Sequence, residues 1–131
     1  MSETPSYQIE AGGVVFDVED RTFGGDRGPA VRVFADVDGR SVQLLRFDCF
    51  EKDPHYHYDP DGKDFHLRLN PETVTDPIAW ALGELRLNLP VMIRAAGYPS
   101  VAERLDRQAA AAAVEKVATA IQKSQLVARS S

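Results

Sequence analysis

Apolar and polar residues alternate along the first half of the chain, which is the pattern of β-strands with two different faces. The alternation predicts a first strand over residues 7–18, a second over 30–37 and a third over 40–50. In the second strand, Val31 and Val33 alternate with polar residues. We therefore expect the first half of the chain to form a β-sheet.

The dipeptide Asp38-Gly39 separates the second and third strands and predicts a two-residue hairpin turn of type I′. Such a turn fixes the register, and on one face it pairs Val37 with Arg40, Ala35 with Val42, Val33 with Leu44 and Val31 with Arg46. Phe34 would face Gln43 on the other side, with Leu45 and Phe47 beyond. Both faces are then partly apolar, so we expect helices on one and a loop or a partner subunit on the other.

All three histidines fall within residues 55–66, where Asp59-Pro60-Asp61-Gly62 predicts another hairpin turn. Two registers are open, and a slip of one residue moves side chains to the other face. If Tyr58 pairs with Lys63, then His55 faces His66, His57 faces Asp64, and the three imidazoles share one face. If Asp59 pairs with Lys63, then His57 faces Phe65 and His66 lies on the opposite face. The apolar alternation of Phe65, Leu67 and Leu69 favours the first register.

In the first register, His55, His57 and His66 can converge on one zinc, iron or nickel ion, with Asp64 as a fourth ligand or as the acceptor of an imidazole N–H. The spacing His-x-His is common, so the same residues also fit a polar surface or a partner-facing cluster.

Charged residues at the end of the third strand lie close to this hairpin in the sequence. Arg46 and Asp48, with Glu51 and Asp53, are placed either at the rim of a pocket near the histidines or in a salt bridge at the end of the sheet.

Helical signals fill the second half. Asp76 is a suitable N-cap and Pro77 suits the first helical position. A continuous apolar stripe follows, with a kink expected near Asn88–Leu89 because of Pro90: Ile78, Leu82, Leu85, Leu89, Met92 and Ala96. Ser100 and Glu103 form a capping box that predicts the start of a second helix.

The order of these elements predicts an α+β fold: an antiparallel four-stranded meander followed by two C-terminal helices packed on one face, ββββαα. We expect one domain over residues 1–131, with a flexible N-terminus at about 1–6, the sheet over 7–70 and a helical half over 76–125.

The amino-acid composition limits the classes of function that this protein can have. The 131 residues carry 20 acidic and 15 basic side chains, a net charge of −5, which disfavours binding to DNA and to RNA. No apolar run approaches the roughly 20 residues of a membrane span. Cys49 is the single cysteine and cannot form an internal disulfide, which indicates a reducing, cytoplasmic location.

Three function classes remain. The preferred one is a small soluble accessory or interaction domain without catalytic activity, either a homo-oligomer or the subunit of a complex, because both sheet faces are partly apolar. The alternative is a metal-binding protein or metal-dependent enzyme using His55, His57, His66 and Asp64. A second alternative is a metal-independent ribonuclease with histidines as acid and base near Arg46 and Arg68.

Overall fold

The computed structural model describes residues 5–130. Its ten elements, in chain order, are β1 (Ser6–Ala11), β2 (Val14–Phe23), β3 (Asp26–Val37), β4 (Arg40–Asp48), β5 (His55–Tyr58), β6 (Phe65–Arg68), α1 (Pro77–Leu87), α2 (Leu89–Ala95), α3 (Pro99–Arg104) and α4 (Arg107–Ser130). The strands form one antiparallel sheet in the order β1-β2-β3-β4-β5-β6, so each strand pairs with its neighbour in the sequence.

The α+β class and the antiparallel meander are confirmed, but the predicted counts of four strands and two helices are wrong. One added strand arises because the predicted strand 7–18 turns back at Gly12-Gly13, where both residues have positive φ angles of 65° and 97°. A Cβ atom on Gly12 would lie 2.5 Å from the carbonyl oxygen of Asp106, so the helical layer approaches this turn too closely for any side chain. The histidine hairpin supplies β5 and β6.

Each predicted helix is divided in two. The first breaks at Asn88, where a kink was expected, and Asp76 caps its start by accepting a hydrogen bond from the Ala79 N–H at 3.0 Å. The second breaks between α3 and α4, and the predicted capping box at Ser100 is wrong: α3 begins at Pro99 and has no side-chain cap. The Asp106 carboxylate instead accepts the Ala109 N–H at the start of α4.

Residues 1–4 of the predicted flexible N-terminus (residues 1–6) lie outside the described residues, and Ser6 already belongs to β1. None of the helices between residues 5 and 130 combines the length and the hydropathy that a membrane span requires.

The helices pack on one face of the sheet and enclose a single apolar core with it. Helix α4 contacts β1, β2 and β3, and α2 contacts β4 and β5. Phe16, Val33 and Leu45 lie side by side on this face, since Phe16 pairs with Val33 and Val33 with Leu45. All three are fully buried.

A β-bulge at Leu44 changes the predicted register of β3 and β4. The pairs next to the Asp38-Gly39 turn are as predicted, including Ala35 with Val42 and Phe34 with Gln43. Beyond them Leu44 has no partner, and the pairing resumes with Val33 opposite Leu45 instead of Leu44. An extra residue in one strand moves every later side chain to the other face.

The bulge therefore corrects the predicted positions of Arg46 and Phe47. Phe47 now lies opposite Val31 in the core, and Arg46 lies opposite Arg32 on the other face of the sheet. That second face is apolar around Val15 and Phe34, whereas charged residues and histidines occupy the rest of it. Both faces are thus partly apolar, as expected, but the apolar part of the second face is confined to the region around Val15 and Phe34.

Candidate metal centre

The register of β4, β5 and β6 gathers the chemical groups into two adjacent rows across the strands. One row is Asp48, His55 and Arg68, and the next is Arg46, His57 and His66. Side chains directly opposite each other on neighbouring strands stand about 5 Å apart. Three histidines, one carboxylate and two arginines therefore meet on the face opposite the helices.

The histidine hairpin has neither of the two predicted registers. Tyr58 pairs with Phe65 around a six-residue loop, and His57 pairs with His66. This register differs from the favoured one by two residues, and a two-residue shift keeps every side chain on its face. The prediction that the three imidazoles share one face is therefore confirmed, although the predicted partners are wrong. Asp64 belongs to the loop and has a positive φ of 53°.

His57 is held at both ring nitrogens. Its Nδ1 lies 2.7 Å from Oδ1 of Asp64, and its Nε2 lies 3.0 Å from Nη2 of Arg46. A carboxylate accepts hydrogen bonds and a guanidinium donates them. This pairing places the proton of His57 on Nδ1 and the lone pair on Nε2.

His55 makes its two hydrogen bonds with two acceptors. Nδ1 donates to the carbonyl oxygen of Asp53 at 2.8 Å, and Nε2 lies 3.0 Å from Oδ2 of Asp48. The hydrogen bond that His55 donates to Asp48 raises the pKa of His55, with further support from the Asp53 carbonyl, while burial opposes the rise. Both ring nitrogens of His55 thus face acceptors, an arrangement that favours the protonated ring.

Asp48 is the most enclosed charged group of the site, with 1% of its surface exposed. Burial raises its pKa, but the hydrogen bond from His55 and the charges of Arg46 and Arg21 outweigh burial and lower the pKa to about 2. Oδ1 accepts from Arg21 at 3.1 Å and Oδ2 from Arg46 at 3.0 Å. Asp48 is thus a permanent anion.

His66 completes the group without a hydrogen bond to any residue between 5 and 130. Its ring stacks on that of His57, with centroids 4.6 Å apart, and meets His55 edge-on at 4.5 Å. Desolvation and the neighbouring His55 and His57 lower the pKa of His66, so its ring is neutral and carries a free lone pair. We call His55, His57, His66, Asp48 and Asp64 the histidine cluster.

The donor atoms of this cluster are spaced as metal ligands are. One ring nitrogen from each of the three imidazoles lies within 4.8 Å of the other two. The Nε2 atoms of His55 and His57 lie 3.0 and 3.5 Å from the same oxygen, Oδ2 of Asp48. Metal–ligand bonds of about 2.0–2.1 Å put neighbouring ligand atoms roughly 3.0–3.4 Å apart. Small ring movements would bring these donors around one cation.

Arg46 is the group that opposes such a cation, because its guanidinium contacts both His57 Nε2 and Asp48 Oδ2. It would have to move away, and its side chain retains 23% exposure on a cleft of about 590 Å³ that lies over the cluster. Arg21, Lys52 and Arg68 also line this cleft.

The structure gives the predicted site residues different positions. His55, His57 and His66 are brought together, while Asp64 contacts only His57 and orients its ring. The sequence interpretation placed Asp48 either at the rim of a pocket or in a salt bridge at the end of the sheet. It did not propose Asp48 as a metal ligand, and it missed Arg21 and Lys52. The signal for Asp48 is its pairing with His55, which requires the strand order.

Cys49 lies next to Asp48 in the chain but does not take part in the cluster. It is buried, and burial raises the pKa of its thiol to about 12. A thiol with that pKa is inert at neutral pH.

Comparison with known proteins gives a family for the chain. No curated protein and no solved structure shows significant similarity to it. The family described as Domain of unknown function (DUF7700) matches residues 8–121, which include most of β1, the complete strands β2 to β6, and helices α1 to α3. The matched region therefore contains the histidine cluster, and the chain belongs to this family.

Proposed function

We propose that the protein is a metal-binding protein, or a metal-dependent enzyme, whose ligands are His55, His57, His66 and Asp48. The observation that carries the proposal is the convergence of two Nε2 atoms on one carboxylate oxygen while both Nδ1 atoms are engaged elsewhere. Imidazoles that bind metals in proteins almost always donate their other N–H to a carboxylate or a backbone carbonyl. His57 does so to Asp64 and His55 to Asp53.

The donor set favours a transition metal. Imidazole nitrogens with one carboxylate suit zinc, iron or nickel, while magnesium and calcium prefer oxygen ligands. A metal held by protein side chains with one open position lowers the pKa of a bound water and polarises a substrate oxygen. The cleft over the cluster supplies room for a substrate at that position.

The test uses protein purified without an affinity tag. We expect close to one equivalent of a transition metal by elemental analysis, or uptake of one equivalent of Zn²⁺, Fe²⁺ or Ni²⁺ by metal-free protein in calorimetry. Asp64→Asn should weaken binding by about 10- to 100-fold, because the acceptor that orients His57 is impaired. Asp61→Asn is the matched control, since its carboxylate lies in the same loop but bonds Gln43. Metal uptake that is absent, or equal in the two variants, would refute the proposal.

A second proposal is the interaction domain favoured by the sequence interpretation. Its support comes from the helices and not from the sheet. Leu87 and Val91, on either side of the α1–α2 break, are 76% and 67% exposed. Exposed large apolar side chains close together are typical of contact surfaces. Sedimentation would show a dimer at micromolar concentration that Leu87→Ser/Val91→Ser dissociates, whereas a clean monomer would exclude a self-associating domain.

The ribonuclease proposal shares the cleft with the metal site. Its support is that Arg46 and Arg68 line the same cleft as the histidines. It requires cleavage of single-stranded RNA in the presence of a chelator, with loss of cleavage in His55→Ala. RNA that stays intact under those conditions would exclude it.

A further inference from the structure

The cleft over the histidine cluster is positively charged, although the chain as a whole is acidic. Four cationic side chains line it, Arg21, Arg46, Lys52 and Arg68, against the carboxylates of Asp26, Asp48 and Asp53. Counted without the imidazoles, this leaves one positive charge in excess, in a chain of net charge −5. A divalent metal in the cluster would add two more. Such a local field attracts anions.

Two of these cations are held only weakly by the protein. The Lys52 ammonium donates to the carbonyl oxygen of Gly25 at 3.0 Å and forms no ion pair with any residue between 5 and 130. The Arg68 guanidinium lies 3.7 Å from Oδ1 of Asp53, and its side chain is 74% exposed. By contrast, Arg21 and Arg46 are both bound to Asp48.

The nearby carboxylate of Asp26 is bound to backbone N–H groups and, among residues 5–130, forms no close ion pair with the head groups of Lys52 or Arg68, although the charge of Lys52 helps to lower its pKa. It accepts backbone N–H groups of Arg27, Lys52 and Asp53, at distances of 2.8 to 2.9 Å. The Lys52 and Arg68 head groups therefore retain hydrogen-bonding capacity toward the cleft.

An aromatic side chain also lines the cleft. Phe23, the last residue of β2, is 68% exposed. An exposed phenyl ring on a concave site gives the carbon skeleton of a ligand a surface to pack on. The volume of about 590 Å³ is that of a small-molecule site.

We infer that this cleft binds a small organic anion, with a carboxylate or phosphate group held by Lys52 and Arg68 and an apolar part packed against Phe23. The inference rests on the proposed function in one respect: the bound anion is the substrate that the cleft presents to the metal. Anion binding itself requires only Lys52, Arg68 and Phe23, so it can be tested on metal-free protein.

The experiment titrates the metal-free full chain with phenyl phosphate and with benzoate, followed by NMR at low salt. We expect both to bind and both affinities to fall as salt is added. Lys52→Gln and Arg68→Gln should each weaken binding by about tenfold, since each removes a charged hydrogen-bond donor. Lys116→Gln on α4 and Arg94→Gln on α2 are matched controls at exposed positions outside the cleft and should leave the affinity unchanged.

Two further probes test separately the role of the negative charge and the role of the apolar part of the ligand. Neutral benzamide should bind at least tenfold more weakly than benzoate. Inorganic phosphate should bind more weakly than phenyl phosphate, and Phe23→Ser should remove that difference.

Several outcomes would overturn the inference. These are equal binding of benzamide and benzoate, equal binding of inorganic and phenyl phosphate, or absence of binding by either aryl anion. Binding of single-stranded RNA without binding of the aryl anions would also overturn it, in favour of a nucleic-acid site. Failure of the two proposals is distinguishable, because metal uptake without anion binding refutes only the anion, and anion binding without metal uptake refutes only the metal centre.

Discussion

The histidine cluster and a second group of charges lie on the same face of the sheet. The second group, which we call the Arg32 network, consists of Arg32 on β3 with Asp17 and Glu19 on β2. Arg32 Nη1 lies 3.3 Å from Oδ1 of Asp17 and 3.1 Å from Oε1 of Glu19. Both groups thus contain ion pairs between arginine side chains and carboxylates of the strands.

The difference between them lies in the surroundings of the carboxylates. Asp17 receives ordinary polar partners, Arg32 and Gln8. Asp48 is instead surrounded by two imidazoles and two guanidinium groups, and it lies beneath a cleft. Charged residues on a strand face do not by themselves make a binding site. A site also requires several metal-binding or hydrogen-bonding groups that converge on one point open to a ligand.

The largest expected difference is in stability. Asp48→Asn should lower the free energy of unfolding by about 3 kcal/mol, because it leaves Arg21, Arg46 and His55 without their shared buried anion. Asp17→Asn should cost about 1 kcal/mol, since Arg32 keeps Glu19. Urea unfolding of the metal-free proteins at pH 7 measures both. Equal losses would show that the two groups are equivalent salt-bridge networks.

Two glycines allow the backbone near the histidine cluster and the backbone of the distant β1–β2 turn to be disturbed separately. A Cβ on Gly28 would lie 2.1 Å from the Cys49 carbonyl oxygen, just before Phe50, whose ring meets His55 edge-on. Gly28→Ala should cost about 2 kcal/mol and also weaken metal binding. Gly12→Ala, which crowds Asp106, should cost a similar amount in stability.

The metal affinity distinguishes these two variants. In calorimetry Gly12→Ala should bind metal like the original protein, because its turn is remote from the histidine hairpin in the sheet order. Weakened metal binding in both variants would mean that the cluster responds to general loss of stability.

The third comparison is between Arg46, which contacts the histidine cluster, and Arg32. Arg46→Ala should tighten metal binding by roughly threefold to tenfold, about 1 kcal/mol, because Arg46 competes with the metal for His57 Nε2 and repels it. Arg32→Ala should leave the affinity unchanged. Competition titration with a chromophoric chelator measures both, and a loss of affinity in Arg46→Ala would show that the arginine supports the site.

The smallest expected effect concerns the loop that leads into β5. Partial burial tends to raise the pKa of Asp26, but three backbone N–H donors outweigh it and lower the pKa below the usual value for aspartate. A depressed folded pKa stabilises the fold above the unfolded pKa of about 3.9, and this contribution is lost as the pH falls through the folded value. Asp26→Asn should therefore cost about 1 kcal/mol at pH 7 and less at pH 2.

Urea unfolding at the two pH values checks this difference, with Asp38→Asn as an exposed control. A cost for Asp26→Asn that does not change between pH 7 and pH 2 would contradict it.

Local sequence signals predicted a large part of this fold. The Asp38-Gly39 turn fixed the nearest strand pairs, and Asp76 with Pro77 marked the start of α1. The common face of the three histidines was also predictable, because the apolar alternation of Phe65, Leu67 and Leu69 favoured a register that places His66 on the same face as His55 and His57. Each of these features is determined by residues close together in the chain.

The features that were not predicted depend on distant contacts. The bulge at Leu44 follows from packing of Leu45 and Phe47 into the core, and no turn residue marks it. Asp48 is a candidate metal ligand only because the pairing of β4 with β5 places it opposite His55. The break at Asp106 divides a helix that the sequence predicted as continuous, whereas the break at Asn88 was expected from Pro90. Strand order and layer packing decide all of these.

The unpaired Leu44 makes the length of β4 as important as its composition. If this one residue were lost, Arg46 and Asp48 would turn toward the layer that holds Trp80, and Phe47 would stand among the imidazoles. A substitution at Leu44 changes one side chain, whereas a deletion would exchange the interior and the ligand-facing side of the sheet.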